Sequence, residues 1–356
     1  MKRRTMILVL VMMILLLVSC GKSSEGTEVP TTTDQTPVQE ETNGEDVQEE
    51  PVEVETGEPD SEPITIRLAG LKGPTTMGAV KLLEDAKAGL TENSYDFTLA
   101  TSGDEVVPLI TQGEVDIALI PSNLASILYN KTQGKIHVIA SNVLGVQAIV
   151  AKGEEISSVA DLKGKTIMAT GKGTVPEMIL RIILKANGID PDADVTMDWR
   201  AEPTEIVGVL SQDDGVAMLP QPFVTVAMSK VEGLVEAIDL SSEWDNEKPF
   251  PIVTGVAVVR SEFLQDNKAL VDQFLTEYQA SIEFVNSHVE EAAELIESYD
   301  IVKAPIAVKA IPKCHLHFME GEELKSALSG FLGVIHEEEP KAVGGELPKD
   351  DFYYEK

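Results

Sequence analysis

Small polar residues gather where strand-like runs give way to helix-like ones. They are Gly73, Thr75, Thr76 and Met77 around Pro74, then Ser102, Ser122 with Asn123, Lys172, Thr174 and Val175 after a Gly-rich turn, and Gln221. Such positions offer hydroxyls, side-chain amides and backbone N–H groups with little formal charge. A helix N-terminus adds unpaired N–H groups and partial positive charge, so the chemistry on offer is recognition of a small polar or anionic solute. Capping a helix is the commonest duty of any one Ser, Thr or Asn at such a place. Their gathering in two halves of the chain predicts a binding cleft. Lys172 either meets an anion or is solvated. Cys314-His315-Leu316-His317 is a lone His/Cys cluster. On an extended segment His315 and His317 point the same way, yet no second CxxC or HxxxH joins them, so the expectation is no metal. Gly171-x-Gly173 lacks the third glycine of a dinucleotide loop, and no Gly-x-Ser-x-Gly or His-Glu-x-x-His string supports hydrolysis. No catalytic residue and no cofactor are expected.

The elements that position these loops begin after residue 63. Ile64–Ala69 alternates like a strand, and Met77–Gly89 has helical spacing. The strand 95–100 is followed by a helix at 105–112. Asp116–Ile120 is a near-continuous apolar run, as in a strand buried on both faces, and a helix follows through 130. Strands at 136–140 and 147–152 come next. The plan then restarts with strands at 166–170, 195–199 and 215–219, helices to 187 and over 204–210, and a helix opening at Pro220. A strand at 252–259 precedes a helical C-terminus over 262–286, 289–298 and 320–338. Strands alternating with helices predict an α/β fold with parallel-type sheets. The expected lobes are 64–152 with 252–356, and 153–251, joined by hinge strands near 145–152 and 252–259.

The chain has 356 residues, with 28 Lys+Arg against 60 Asp+Glu, a formal charge of −32. Phosphate backbones are held by clustered cations, so nucleic-acid binding is excluded. Two Cys exclude a disulfide scaffold. An aromatic content of 5% disfavours a cage of stacked rings as the main binding device.

Lys2, Arg3 and Arg4 precede an apolar run from Ile7 to Val18 that ends in Ser19-Cys20-Gly21. This resembles the signal peptide and lipobox of bacterial lipoproteins, which implies cleavage before Cys20 and lipidation of its thiol. Two acyl chains suffice for stable anchoring. Residues 21–63 hold 14 acids and one Lys, with no aromatic residue. Such a composition cannot offset the entropy of ordering and reads as a disordered acidic tether.

Asp116-Ile117-Ala118 with Pro121-Ser122-Asn123, then Val159 through Lys165 (VADLKGK), then Leu219-Pro220-Gln221-Pro222-Phe223 carry a family resemblance. In order and spacing they resemble type 2 periplasmic solute-binding proteins of ABC importers, closest to the nitrate, sulfonate, taurine and thiamine-precursor branch. Gln221 stands where that family often has an acid. The resemblance covers about 64–335. It implies the two-lobed type 2 periplasmic-binding-protein fold and a monomer anchored to the outer face of the membrane through lipid on Cys20. It also implies a small-molecule ligand, an ABC permease and its ATPase as partners. Enzymes of the same architecture, pyrimidine synthases and menaquinone-pathway enzymes, are the alternative. The lipobox argues against both, and a missing Cys-rich motif against the former. A surface sensory receptor is the third reading.

Overall fold

The computed structural model describes residues 64–356; the expected signal peptide, Cys20 and the expected tether lie outside the described residues. The first half runs β1 (Thr65–Leu71), α1 (Pro74–Met77), α2 (Val80–Lys87), β2 (Ser94–Ala100), α3 (Gly103–Thr111), β3 (Ile117–Pro121), α4 (Ser122–Thr132) and β4 (Ile136–Val143). The second runs β5 (Gln147–Lys152), β6 (Thr166–Ala169), α5 (Val175–Ala186), β7 (Thr196–Trp199), α6 (Pro203–Gln212), β8 (Gly215–Pro220), α7 (Phe223–Lys230), β9 (Val235–Asp239) and α8 (Leu240–Glu247). The chain then returns as β10 (Gly255–Arg260), α9 (Ser261–Asp266), α10 (Lys268–Ser287), α11 (Val289–Ser298), α12 (Ala304–Ala310) and α13 (Gly321–Glu338).

Two five-stranded sheets result, ordered β2-β1-β3-β10-β4 and β7-β6-β8-β5-β9. The fold is α/β, as the alternation of strands and helices predicts, with one refinement. Each sheet carries one reversed strand in its fourth place. β10 is antiparallel to β3 and β4, and β5 is antiparallel to β8 and β9. The reversal follows from connectivity, since each of these strands enters its sheet from the other half. β5 and β10 each pair wholly within one sheet, so the chain crosses between halves in the loops 144–146 and 248–254 rather than along a strand.

Packing explains the elements. β3 is buried on both faces, as its apolar run requires. In α5 the residues Met178, Ile179, Leu180, Ile183 and Leu184 form one buried seam at helical spacing. α10 repeats this with Val271, Phe274, Leu275, Tyr278, Ile282 and Val285, against the opposite face of the first sheet. One apolar cluster is continuous across both sheets. It runs from Ile120 and Val256 through Ile149, Ile167 and Ile179 to Trp244 and Phe331. Burying a side chain the size of Phe331 contributes about 1.5–3 kcal/mol, so the two halves are strongly joined as well as linked.

Asp116 fixes the foot of β3. Its carboxylate accepts from Arg67 Nε at 2.9 Å, Arg67 Nη2 at 2.5 Å and Arg260 Nη2 at 2.9 Å, and from the Arg67 backbone N–H at 3.0 Å. Burial disfavours its charge, but the Arg67 and Arg260 hydrogen bonds outweigh burial and hold the carboxyl below its ordinary range. Asp161 has a comparable structural duty. It accepts from the backbone N–H and hydroxyl of both Ser157 and Ser158, and these bonds, the Ser157 N–H first, hold it down to about 2. Two acids of the family-like motifs are therefore scaffold.

Candidate functional site

A cavity of about 210 Å³ lies between the two sheets, lined by Pro121, Ser122, Asn123, Gln147, Thr174, Val175, Pro176, Ile179 and Thr254. Pro121 ends β3 and forces the turn from which α4 starts, with Ser122 and Asn123 as its first residues. Across the cavity the Gly171–Gly173 turn delivers Thr174 as the N-cap of α5, with Val175 and Pro176 in the first turn. Gly171 and Gly173 have φ of 77° and 74°, a left-handed conformation that a side chain would strain. The N-termini of an 11-residue and a 12-residue helix thus open on one space. Each presents first-turn N–H groups and the positive end of its dipole. No Lys, Arg, Asp, Glu or His is among the nine lining residues.

The polar groups here differ in how free they are. Ser122 is committed to the fold: its hydroxyl donates to the Val253 carbonyl at 2.5 Å and its N–H to Thr254 at 2.9 Å. Asn123 donates through Nδ2 to the Ala342 carbonyl at 3.2 Å, leaving its Oδ1 as acceptor. The Thr174 hydroxyl donates to Gly171 at 2.5 Å and keeps its lone pairs exposed. Gln147 is 8% exposed and lines both this cavity and a smaller one of about 110 Å³. Pro176 and Ile179 form the apolar wall beside these groups.

Of the candidate residues, Ser122, Asn123, Thr174 and Val175 line this cavity, and the others lie elsewhere. Thr76 and Met77 are 0% exposed. The Thr76 hydroxyl donates to the Leu71 carbonyl at 2.6 Å, and Thr75 makes the same bond at 3.2 Å, so this loop turns its hydroxyls inward. Gly73, with φ of 136°, shapes the turn before the four-residue α1. Ser102 caps α3 and is exposed, and Lys172 is exposed on its turn; neither lines the cavity. Gln221 faces the smaller cavity, and its Oε1 accepts from Thr225 at 2.8 Å. Sequence reasoning missed Gln147 and Thr254, which lie where the chain crosses between halves. A lone amide opening a strand that is then apolar through Ala151 was the available signal.

The His/Cys cluster splits, with Cys314 turned into the core while His315 and His317 line a cavity of about 350 Å³ with Asp239 and Asp245. Cys314 is fully buried, and burial pushes its thiol up to about 12. His315 Nδ1 lies 2.6 Å from the Gly145 carbonyl. Among the described residues no three His, Cys, Asp or Glu side chains gather to hold a metal ion.

Residues 82–337 match the family model described as menaquinone biosynthesis, well over half of the chain. The chain belongs to this family. Members of the menaquinone-biosynthesis family are not alone in resembling it. A Brucella abortus protein described as a candidate binding protein is 25% identical over 204 residues, 57% of this chain. A Brucella suis protein of the same description matches equally. The chain spans 61% of the length of these curated relatives. Among solved structures, an ABC transporter protein from Parabacteroides distasonis superposes with a TM-score of 0.70 at 27% identity, covering 82% of this chain and 99% of that one. The periplasmic aliphatic sulphonate binding protein of Escherichia coli gives 0.66 at 15% identity, covering 82% and 92%. The periplasmic nitrate-binding protein of Synechocystis gives 0.54 at 14% identity, covering 77% and 81%. This member of the family therefore has the fold of ABC-importer solute-binding proteins, as the order and spacing of its motifs imply.

Proposed function

We propose that this chain is the solute-binding component of an ABC importer. It is exported, held at the outer face of the membrane by lipid on Cys20, and captures one small organic solute between its two halves for delivery to a permease and its ATPase. The observation that carries this reading is the cavity itself. Two helix N-termini, one from each half, face a space walled by amides, hydroxyls and apolar side chains, with no titratable group among the nine lining residues. Such a lining can hold and release a solute, and it supplies no acid or base to activate its hydroxyls. The proposed contacts are Asn123 Oδ1, the Gln147 amide, the Thr174 hydroxyl, Thr254 and the first-turn N–H groups of α4 and α5. The aligned dipoles favour an anionic or strongly polar head, and Pro176 and Ile179 favour a short apolar body.

Mass spectrometry of small molecules released from the purified protein tests this reading. It is followed by thermal-shift screening of nitrate, alkylsulfonates, pyrimidines and riboflavin-like compounds. A true ligand at a hundredfold excess over Kd stabilises the folded state by about 2.7 kcal/mol. The family's description, menaquinone biosynthesis, carries the second reading, an enzyme on the same scaffold. Recovery of a chemically altered compound from the pure protein would favour that reading and sink the importer.

A further inference from the structure

Both walls of the cavity are tied to one C-terminal segment, and by unlike means. On the α4 side, Asn123 donates to the Ala342 carbonyl and Ser126 donates to Val343 at 2.6 Å. One turn further on, Asn130 donates to Val343 at 3.2 Å and to Glu346 at 2.7 Å. These bonds reach backbone carbonyls from three successive turns of the helix. On the α5 side the hydrogen-bonded tie is a single carboxylate, beside the apolar packing of α13 in the shared core. Glu338, the last residue of α13, accepts from Arg181 Nε at 3.0 Å and from Lys185 Nζ at 2.7 Å on both oxygens. Its side chain is only 15% exposed. Arg181 is held in place for this by a two-pronged pair with Asp192 at 2.8 and 2.7 Å. Burial opposes the Glu338 charge, and the Lys185 and Arg181 hydrogen bonds prevail, so its carboxyl lies below the ordinary range. Two turns before Glu338, α13 rests on the second half through Phe331 against Trp244, ring centres 5.7 Å apart.

We propose that residues 321–346 form a strap that sets the spacing of the two cavity walls, with the Glu338–Arg181–Lys185 triad as its release point. The α4 end is a permanent tie, because four hydrogen bonds to fixed backbone must break together. The polar part of the α5 end is exchangeable, because one side chain makes it and the apolar contacts beside it are non-directional. Opening the cavity moves α5 away from Glu338 while Phe331 on Trp244 serves as the pivot. The strap's relevance to solute exchange rests on the cavity being the binding site; its mechanics do not.

The test reads wall spacing without ligand. Nitroxide labels at Lys131→Cys and Ala186→Cys, both at exposed ends of α4 and α5, report the separation by pulsed electron resonance. The full chain carries Cys20→Ala, and the buried Cys314 thiol stays unlabelled. The parent should show one dominant distance, with a longer one populated at about 1–10%. Glu338→Gln, which keeps the shape and removes the charge, should raise the longer distance to roughly half. Lys185→Gln, a half-exposed change that spares folding, should raise it less. An unchanged distribution in Lys185→Gln together with an unchanged distribution or no fold in Glu338→Gln overturns the proposal. Because no ligand is present, a cavity that binds nothing defeats the importer reading and leaves this result standing.

Discussion

The two halves repeat one plan and use it differently. β1, β3 and β10 correspond in sheet position to β6, β8 and β5. After β1 comes a four-residue helix whose threonines turn back onto Leu71; after β6 comes a twelve-residue helix whose cap stays open to solvent. The cavity therefore joins the helix after the third-placed strand of one half to the helix after the second-placed strand of the other. The feet of the sheets differ too. Leu68 pairs with Ile117 and Ile167 with Val216, so Gly215 stands where the first half has Asp116. Equivalent places in a repeat need not share a duty: one half is pinned at its base, and the other turns its first helix to the cavity.

The sharpest test of this contrast is at the two feet. Asp116→Ala leaves two guanidinium groups without their buried partner and should cost about 3 kcal/mol in urea unfolding. Gly215→Ala brings a Cβ 3.2 Å from the flexible Met168 methyl and should cost under about 1 kcal/mol. Equal losses would break the comparison. The Asp116 contribution also has a pH signature. Its folded pKa is lowered, so its stabilisation is present above the unfolded value of about 3.9 and is lost as pH falls through the folded one. Asp116→Ala should lack that acid-side decline.

Smaller effects separate scaffold from site. Thr76→Ala removes the better donor to a buried carbonyl and should cost about 1–2 kcal/mol of stability with Kd unchanged. The Kd is measured for the compound that gives the largest melting shift. Gln147→Ala should do the reverse, weakening binding by about fivefold, near 1 kcal/mol, with the unligated melting temperature preserved. Thr174→Ala should be mildest, within about 0.5 kcal/mol in stability, since its hydroxyl bonds its own turn and no helix N–H. A Thr76 variant that loses affinity, or a Gln147 variant that loses only stability, would reverse the assignment of walls.

Legibility in the sequence followed the strength of local patterning. β5 and α11 match their expected spans because alternation or helical spacing is unbroken there. β9 and α8 escaped notice because Val235–Asp239 is half polar and α8 buries little beyond Leu240 and Trp244. α12 escaped because Pro305 and short apolar residues read as a loop. The reversed strands could not be read, since strand direction is decided by connections distant in sequence. Ser122 and Thr174 were legible because proline and glycine mark their turns. The inward turn of Thr76 was not legible, because a hydroxyl bonded to its own loop and one left free look alike in sequence.

The strand order has a further consequence, for the route by which the chain acquires its structure. β5 through β9 all fall within residues 147–239, so the second sheet can form from one uninterrupted stretch. The first sheet cannot, because β10 must insert between β3 and β4 after more than a hundred intervening residues have been made. Local pairing precedes distant pairing when loop closure is costly. In a chain emerging N-terminus first, the later-synthesised sheet is therefore completed before the earlier one. Until residue 260 arrives, β3 and β4 present unpaired apolar edges, the span in which a nascent chain is most exposed to aggregation.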